Sequence, residues 1–415
     1  MSTSTTSPEP PAGDSVQTGP GGGGGRSPMA AIRRRLRTGE LGAWPVIIGL
    51  IVIWVVFQSL NERFLSPQNL SNLTLQIAAT GTISIGVVLV LLLGEIDLSV
   101  GSVAGVAAAA LAVLTVRNGW GDLAAIIVAL LLGMAIGALQ GSIFARLGVP
   151  AFVVTLAGNI GWQGLQLFLL KPEGTINLPY TGFIGRITHV NLGPATGWLI
   201  GALAVLAYAA AVLLDTRRRA AAGLPTRSPV RSVLRIVGLA VLVGVTVAVL
   251  NAWQGVPAAL LILLALVVIV DLVLRRTRYG RGIFAVGGNV EAARRAGINV
   301  TLIRISVFAL TSTLAALGGI LIASRGYAAG QSTGAADTLL VAIAAAVIGG
   351  VSLFGGRGST YGALLGSLVL GSITSGMFLL QLDSSVRFMI TAAVLLAAVI
   401  LDSLSRRGRR SSGRA

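Results

Sequence analysis

The sequence predicts an all-α polytopic membrane protein, with about twelve transmembrane or partly re-entrant helices and both termini in the cytoplasm. Three observations carry that prediction. The 415 residues are 54% hydrophobic and 11% charged, against roughly 25% charged in a soluble domain, and the mean hydropathy is +0.86. Apolar runs long enough to cross ~30 Å of hydrocarbon recur along most of the chain. The arginines sit almost wholly between those runs, and every dense arginine cluster, counted from an internal N-terminus, falls on one side of them, as in positive-inside loops. The net charge of +17 therefore reads as membrane topology, and nucleic acid is not an expected partner.

Residues 1–43 are rich in Ser, Thr, Pro and Gly and contain a five-glycine run before the cluster Arg33 to Arg37, so a disordered cytoplasmic tail is expected there. The apolar run Trp44 to Leu60 leads into NERFLS with no small-residue cleavage site, which marks a retained first span and not a secretory signal. Further spans are predicted at 69–93, 97–116, 123–145, 150–170, 197–214, 235–251, 256–274, 301–323, 335–355, 359–380 and 385–402. This alternation places Arg146, Arg217 to Arg219, Arg227 to Arg235, Arg275 to Arg295 and Arg406 to Arg410 in the cytoplasm. The loop 171–196, with the single lysine Lys171, falls outside. Runs 97–116 and 335–355 are rich in glycine and alanine and are candidates for broken or re-entrant helices. Residues 403–415 read as a basic cytoplasmic tail, leaving 44–402 as the membrane domain.

Small residues recur every fourth position at Gly133, Gly137 and Gly141 and again at Gly358, Gly362 and Gly366, a spacing that lets helix backbones approach closely in lipid. Two stretches, GEIDLSVGSVAG from Gly94 and GGVSLFGGRGSTYG from Gly349, both end a span, turn, and open the next with Gly-Ser-x-x-Gly. They fit a parallel internal repeat and equally a chance match in a glycine-rich chain. Asp97 or Ser99 is expected to cap the helix that starts near Leu98. An ion or proton site at Glu95 and Asp97 is the weaker reading, because no second carboxylate, histidine or lysine stands beside them in sequence.

The chain has no cysteine, and its one histidine, His189, cannot build a metal site alone. No Gly-x-x-x-x-Gly-Lys-Ser/Thr phosphate loop occurs, and no nucleophile–base pair is evident. Neither an enzyme nor an ATP-binding subunit is therefore expected, and the energy for transport has to come from another subunit or from an ion gradient.

The stretch that breaks the apolar pattern is RYGRGIFAVGGNVEAARRAGINV, Arg278 to Val300. Its glycines, Gly280, Gly282, Gly287 and Gly288, read as a loop. A short helix follows: Asn289 is placed to cap it, Glu291 sits in its first turn four residues before Arg295, and Gly297 supplies the left-handed residue that ends it. A rigid, doubly capped element at the surface of a membrane protein, with only Ala292, Ala293 and Ala296 as an apolar face, reads as a docking element, with a solvated loop as the alternative. A bulky residue at Ala292 or Ala293 is expected to disturb that docking.

These motifs together resemble the permease subunits of ribose/xylose-type ABC sugar importers, most closely the xylose subtype. The matching stretches are EIDLSVGS at 95–102, VPAFVVTLAGN at 149–159, the GGN-x-EAAR-x-x-GINV run ending at Val300, and IAAAVIGGVSLFGG from Ile343. Leu339, Leu340 and Val341 stand where the family commonly has Glu-Leu-Asp, and Val351 where it commonly has threonine. The resemblance implies a multi-pass cell-membrane protein that moves a monosaccharide such as D-xylose inward. It also implies a second permease copy, an extracytoplasmic sugar-binding protein, and a cytoplasmic ATPase that binds the ATP and magnesium, leaving no cofactor in this chain. On that resemblance the loop 275–300 is the coupling loop, with Asn289, Glu291, Ala292, Ala293, Arg294 and Gly297 forming the contact to the ATPase. An ion-coupled secondary sugar transporter is the alternative. Polar side chains are scarce inside the spans, so Gln140, Asn159, Trp162 and Gln163 are the candidates for a sugar path; hydrogen bonding between helices explains each of them equally well.

Overall fold

The computed structural model describes residues 44–225 and 228–411; the tail expected at 1–43 lies outside the described residues, as do 412–415 of the basic tail. A helix lies on each of the expected runs, several of them longer than the apolar stretch that predicts them. They are α1 (Trp44–Leu60), α2 (Pro67–Leu92), α3 (Val100–Ala112), α4 (Asp122–Leu147) and α5 (Ala151–Leu169). An irregular stretch with β1 (Thr175–Asn177), α6 (Phe183–Arg186) and β2 (Asn191–Leu192) leads to α7 (Pro194–Ala221) and α8 (Pro229–Asn251). Strand β3 (Val256–Pro257) precedes α9 (Ala258–Arg276), followed by α10 (Arg278–Gly288), α11 (Val290–Arg295) and α12 (Val300–Gly326). The chain closes with β4 (Ala328–Gly330), α13 (Ala336–Ile348), α14 (Thr360–Leu379) and α15 (Ser384–Ser411), so the expected tail at 403–415 is helical as far as Ser411.

Among the described residues, nine helices are long and apolar enough to cross a membrane. The remaining three expected spans correspond to the shorter apolar helices at Trp44–Leu60, Asp337–Ile348 and Ser384–Ala397. The run expected at 335–355 is the one whose helix ends well short of the apolar stretch. Helix α13 has 13 residues, about 20 Å at 1.5 Å per residue, and Gly349 with Gly350 (φ +86°) turns the chain before it completes a crossing. Helix α3 is short as well; it starts at Val100, not at Asp97, and gains its length from a π turn over Val113–Arg117.

Helix α12 is the axis. It packs against α2, α3 and α4, and its 27 residues span about 40 Å. The glycine spacing explains the tightest of these crossings. A Cβ at Gly133, Gly137 or Gly141 would stand 2.6 Å from Ala316 Cβ, 2.3 Å from Phe308 O and 3.0 Å from Ile305 Cα. These three glycines of α4 therefore lie flat along α12. Gly362 and Gly366 do the same for α14 against α13, meeting Gly349 O and Ala345 O. Enclosure is uneven: 83% of the apolar window of α2 is buried against 11% for α7 and for α8, so the α7–α8 hairpin is peripheral.

The two ends of α12 organise the loops. At its C-terminal end β1 pairs with β4 and β2 with β3, both antiparallel, and Ser324 Oγ donates to Ile184 O at 2.6 Å. At its N-terminal end the turn after α2, the turn after α13 and helix α10 touch through glycine backbone. Gly356 N–H donates to Leu92 O at 2.9 Å, a Cβ at Gly94 would be 3.3 Å from Phe354 O, and one at Gly287 would be 1.7 Å from Leu92 O. The two repeat-like turns, after Gly94 and after Gly349, thus lie at the same end and in contact.

Candidate functional site

The stretch expected to dock is built as the sequence predicts at its ends and differently at its base. Asn289 Oδ1 accepts from Ala292 N–H at 2.9 Å, capping α11. Gly297 is left-handed (φ +79°), and Ile298 N–H reaches back to Ala293 O at 3.1 Å to close the C-terminal end. Glu291 pairs with Arg294 at 3.2 Å and Arg295 at 3.5 Å; both pairs are exposed, where such contacts contribute about 0–1 kcal/mol. Arg278 to Gly288, expected as a glycine loop, is instead the helix α10. Its glycines serve close approach and not turning: Gly280 abuts Leu274 O, Gly282 abuts Ile303, and Gly287 abuts Leu92 O. Tyr279 Oη lies 2.9 Å from Ser306 Oγ and ties α10 to α12; burial pushes the pKa of this phenol up, so it stays neutral.

The six residues expected for ATPase contact do not share one face. Ala292 and Arg294 are exposed beside Glu291, whereas Ala293 is 3% exposed and packed into the main core of its own chain. An alanine placed so leaves no surface for a partner, and a bulky residue at 293 probes folding; Ala292 is the position that probes docking. Beside α11 lies a groove of about 390 Å³ between α10 and the start of α12, with Arg278 and Arg281 among its walls.

The second region lies between α3, α4 and α5. Asp97 Oδ1 accepts from Ser99 N–H at 2.8 Å and from Ser99 Oγ at 2.6 Å. Neither side chain caps α3: Ser99 is the N-cap residue but makes no side-chain cap bond, because its hydroxyl is taken up by Asp97. Ser99 Oγ is also 2.9 Å from Gln140 Oε1. One hydroxyl proton cannot serve two acceptors, so Gln140 satisfies this contact fully only with its amide nitrogen toward Ser99. The other end of that amide faces Gly158 and Trp162: a Cβ at Gly158 would stand 2.0 Å from Gln140 Nε2 and 3.0 Å from Trp162 Nε1. Of the four expected path residues, Gln140 (2% exposed) and Trp162 thus meet in one cluster. Asn159 is half-buried and Gln163 exposed on the outer face of α5, and neither makes a side-chain hydrogen bond among the described residues.

Sequence reasoning missed two partners here. Arg304, 209 positions away, comes within 3.4 Å of Glu95 and stacks over the Phe144 ring at 4.5 Å. Gln166, 2% exposed, donates to Gly330 O and Thr333 O at 2.9 Å and fastens α5 to the loop before α13. Its place in the spaced polar series Asn159, Gln163, Gln166 was the one available signal.

Residues 69–399 match the family described as branched-chain amino acid transport system / permease component. The chain belongs to that permease family. The permease is 36% identical over 373 residues to the xylose transport system permease protein XylH of Escherichia coli K12, covering 90% of this chain and 94% of that one. It is 32% identical to XylH of Haemophilus influenzae, over 90% of this chain and 99% of the relative. Similarity to the ribose import permease protein RbsC of Escherichia coli K12 is 31%, over 86% and 92%. No solved structure matches. With nine described helices able to span a bilayer, the permease is a multi-pass membrane protein.

Proposed function

We propose that this permease is the membrane-spanning subunit of an ABC importer that carries a monosaccharide, D-xylose or a similar pentose, into the cytoplasm. The observation that carries the reading is the end-to-end match to xylose permeases, 36% identical over 90% of the chain. ATP is bound by a separate cytoplasmic ATPase, which α11 engages through Glu291, Ala292 and Arg294, with Asn289 and Gly297 holding the helix rigid. An extracytoplasmic binding protein delivers the sugar at the strand-paired end of α12. The sugar passes along α5. Asn159 lies near the middle of this 19-residue helix, with Gln163 one turn further on. Two amides without partners facing lipid would each cost roughly 1–3 kcal/mol, so that face is covered by a second permease copy and the polar path between the two.

The test is D-xylose uptake into membrane vesicles that contain the permease with its ATPase and binding protein. Uptake that needs ATP and persists when a protonophore collapses the ion gradient is expected. Uptake abolished by the protonophore with ATP present would overturn the ABC reading. Replacing Asn159 and Gln163 together by leucine should slow uptake at least tenfold without altering ATPase assembly; unchanged uptake sinks the assignment of the path.

A further inference from the structure

The polar cluster at the start of α3 contains more hydrogen-bonding capacity than the fold uses. Asp97 is 4% exposed and Gln140 2% exposed, yet Asp97 Oδ2, Gln140 Nε2 and Trp162 Nε1 are all buried without a partner. A buried polar group left unmade costs about 1–3 kcal/mol. Rotating the Gln140 amide relieves part of this, since its nitrogen then serves Ser99 and its oxygen faces the Trp162 side. Asp97 Oδ2 stays unpaired in either arrangement. The seam around it, between Val87, Val90, Ile96 and Ile343, is too narrow to admit a water-sized sphere.

We propose that Asp97, Ser99, Gln140 and Trp162 form an intramembrane site for two adjacent hydroxyls of the transported sugar, closed in this conformation. The proposal rests on the monosaccharide reading above and adds to it a defined stopping point, with Asp97 and Ser99 as residues no sequence motif assigned to the path. The chemistry selects the ligand. A carboxylate oxygen accepts, an indole N–H donates, and an amide does either according to which end it presents. A hydroxyl gives one proton and accepts one, so a vicinal diol satisfies all three groups. A metal ion would meet N–H donors where it needs oxygen ligands, and an anion would meet the carboxylate. Gly158 matters for access, because a Cβ there would fill the space before Gln140 and Trp162. Opening is tied to the other end of the loop. Residues 94–99 begin at the glycine contact with Phe354 and Gly355, which Gly287 of α10 also touches, so movement of the docking element bears directly on the segment that carries Asp97.

The chain has no cysteine, so Ser99→Cys introduces a single thiol into the permease at the centre of the site. In vesicles with the whole transporter turning over ATP, the permease band should be labelled by a small methanethiosulfonate reagent, and D-xylose should slow that labelling at least threefold where sucrose does not. Trp162→Phe keeps the ring and removes the N–H; it should raise the KM for D-xylose uptake about fivefold. Failure to label, or labelling indifferent to D-xylose, overturns the site, and so does an unchanged KM in Trp162→Phe. The second variant decides alone where Ser99→Cys does not reach the membrane. If these fail while the Asn159/Gln163 double variant still slows uptake, the path stands and only this stopping point is lost; if that double variant also transports normally, the path reading itself has failed.

Discussion

Single glycines decide how closely the elements of this protein approach, and the structure separates those that matter from those that do not. Gly287 and Gly288 are neighbours at the end of α10. A Cβ on the first would lie 1.7 Å from Leu92 O, and on the second would meet nothing within 4 Å. Because the obstacle is backbone and not a flexible side chain, Gly287→Ala has to push α10 away from the end of α2, at a cost in the range of about 1–3 kcal/mol for overpacking. Gly288→Ala should be neutral or slightly stabilising, since alanine loses less chain entropy on folding. Thermal unfolding of the detergent-purified permease should therefore show a clear loss of Tm for the first variant and none for the second. Equal Tm values would mean that this glycine contact does not hold the fold together.

At the scale of elements, α11 is the part whose role rests most on its orientation. Its cap, its ion pairs and its terminating glycine were all legible in the run Asn289 to Gly297, because each is a local, short-range interaction. Which alanine faces inward was not legible, since that depends on how α11 is laid against a core assembled from residues far apart in sequence. The same limit applies to α10: its glycines signalled a loop, but contacts with Leu92, Leu274 and Ile303 made them packing positions in a helix. Two variants follow from the orientation. Ala292→Trp should leave permease levels in the membrane normal while lowering sugar-stimulated ATP hydrolysis by the assembled transporter at least tenfold. Ala293→Trp, forced into a site only 3% exposed, should instead reduce the amount of folded permease. A normally active Ala292→Trp transporter would remove α11 from the docking surface.

For the molecule as a whole, hydropathy alone placed a helix on each expected run, with the ends of α7, α8 and α15 reaching well beyond the apolar stretch; the run 335–355, expected as a candidate broken or re-entrant segment, holds the short helix α13. The polar clusters were less legible. Gln140 and Trp162 stood out as rare polar residues in apolar runs, but nothing in the sequence brought Ser99 to Gln140 or Arg304 to Glu95. Sidedness is the remaining large-scale expectation, and the absence of cysteine makes it simple to test. With the strand-paired loops outside, Tyr180→Cys, at a position 72% exposed, should react with an impermeant maleimide added to intact cells. Arg294→Cys should react only in inverted vesicles. The opposite pattern would invert the topology and with it the direction in which the docking element points.

The contact among Leu92, Gly94, Gly287 and Gly355 has a further consequence for stiffness. A linkage made of long side chains has slack, because rotamers can absorb a displacement before it is passed on. Here backbone meets backbone, with no side-chain torsion between α10 and the loop leading to Asp97. A lever of this kind has almost no dead travel. A displacement of α10 toward Gly94 and Gly355 would therefore meet backbone first, with no side-chain rotamer between them to absorb it.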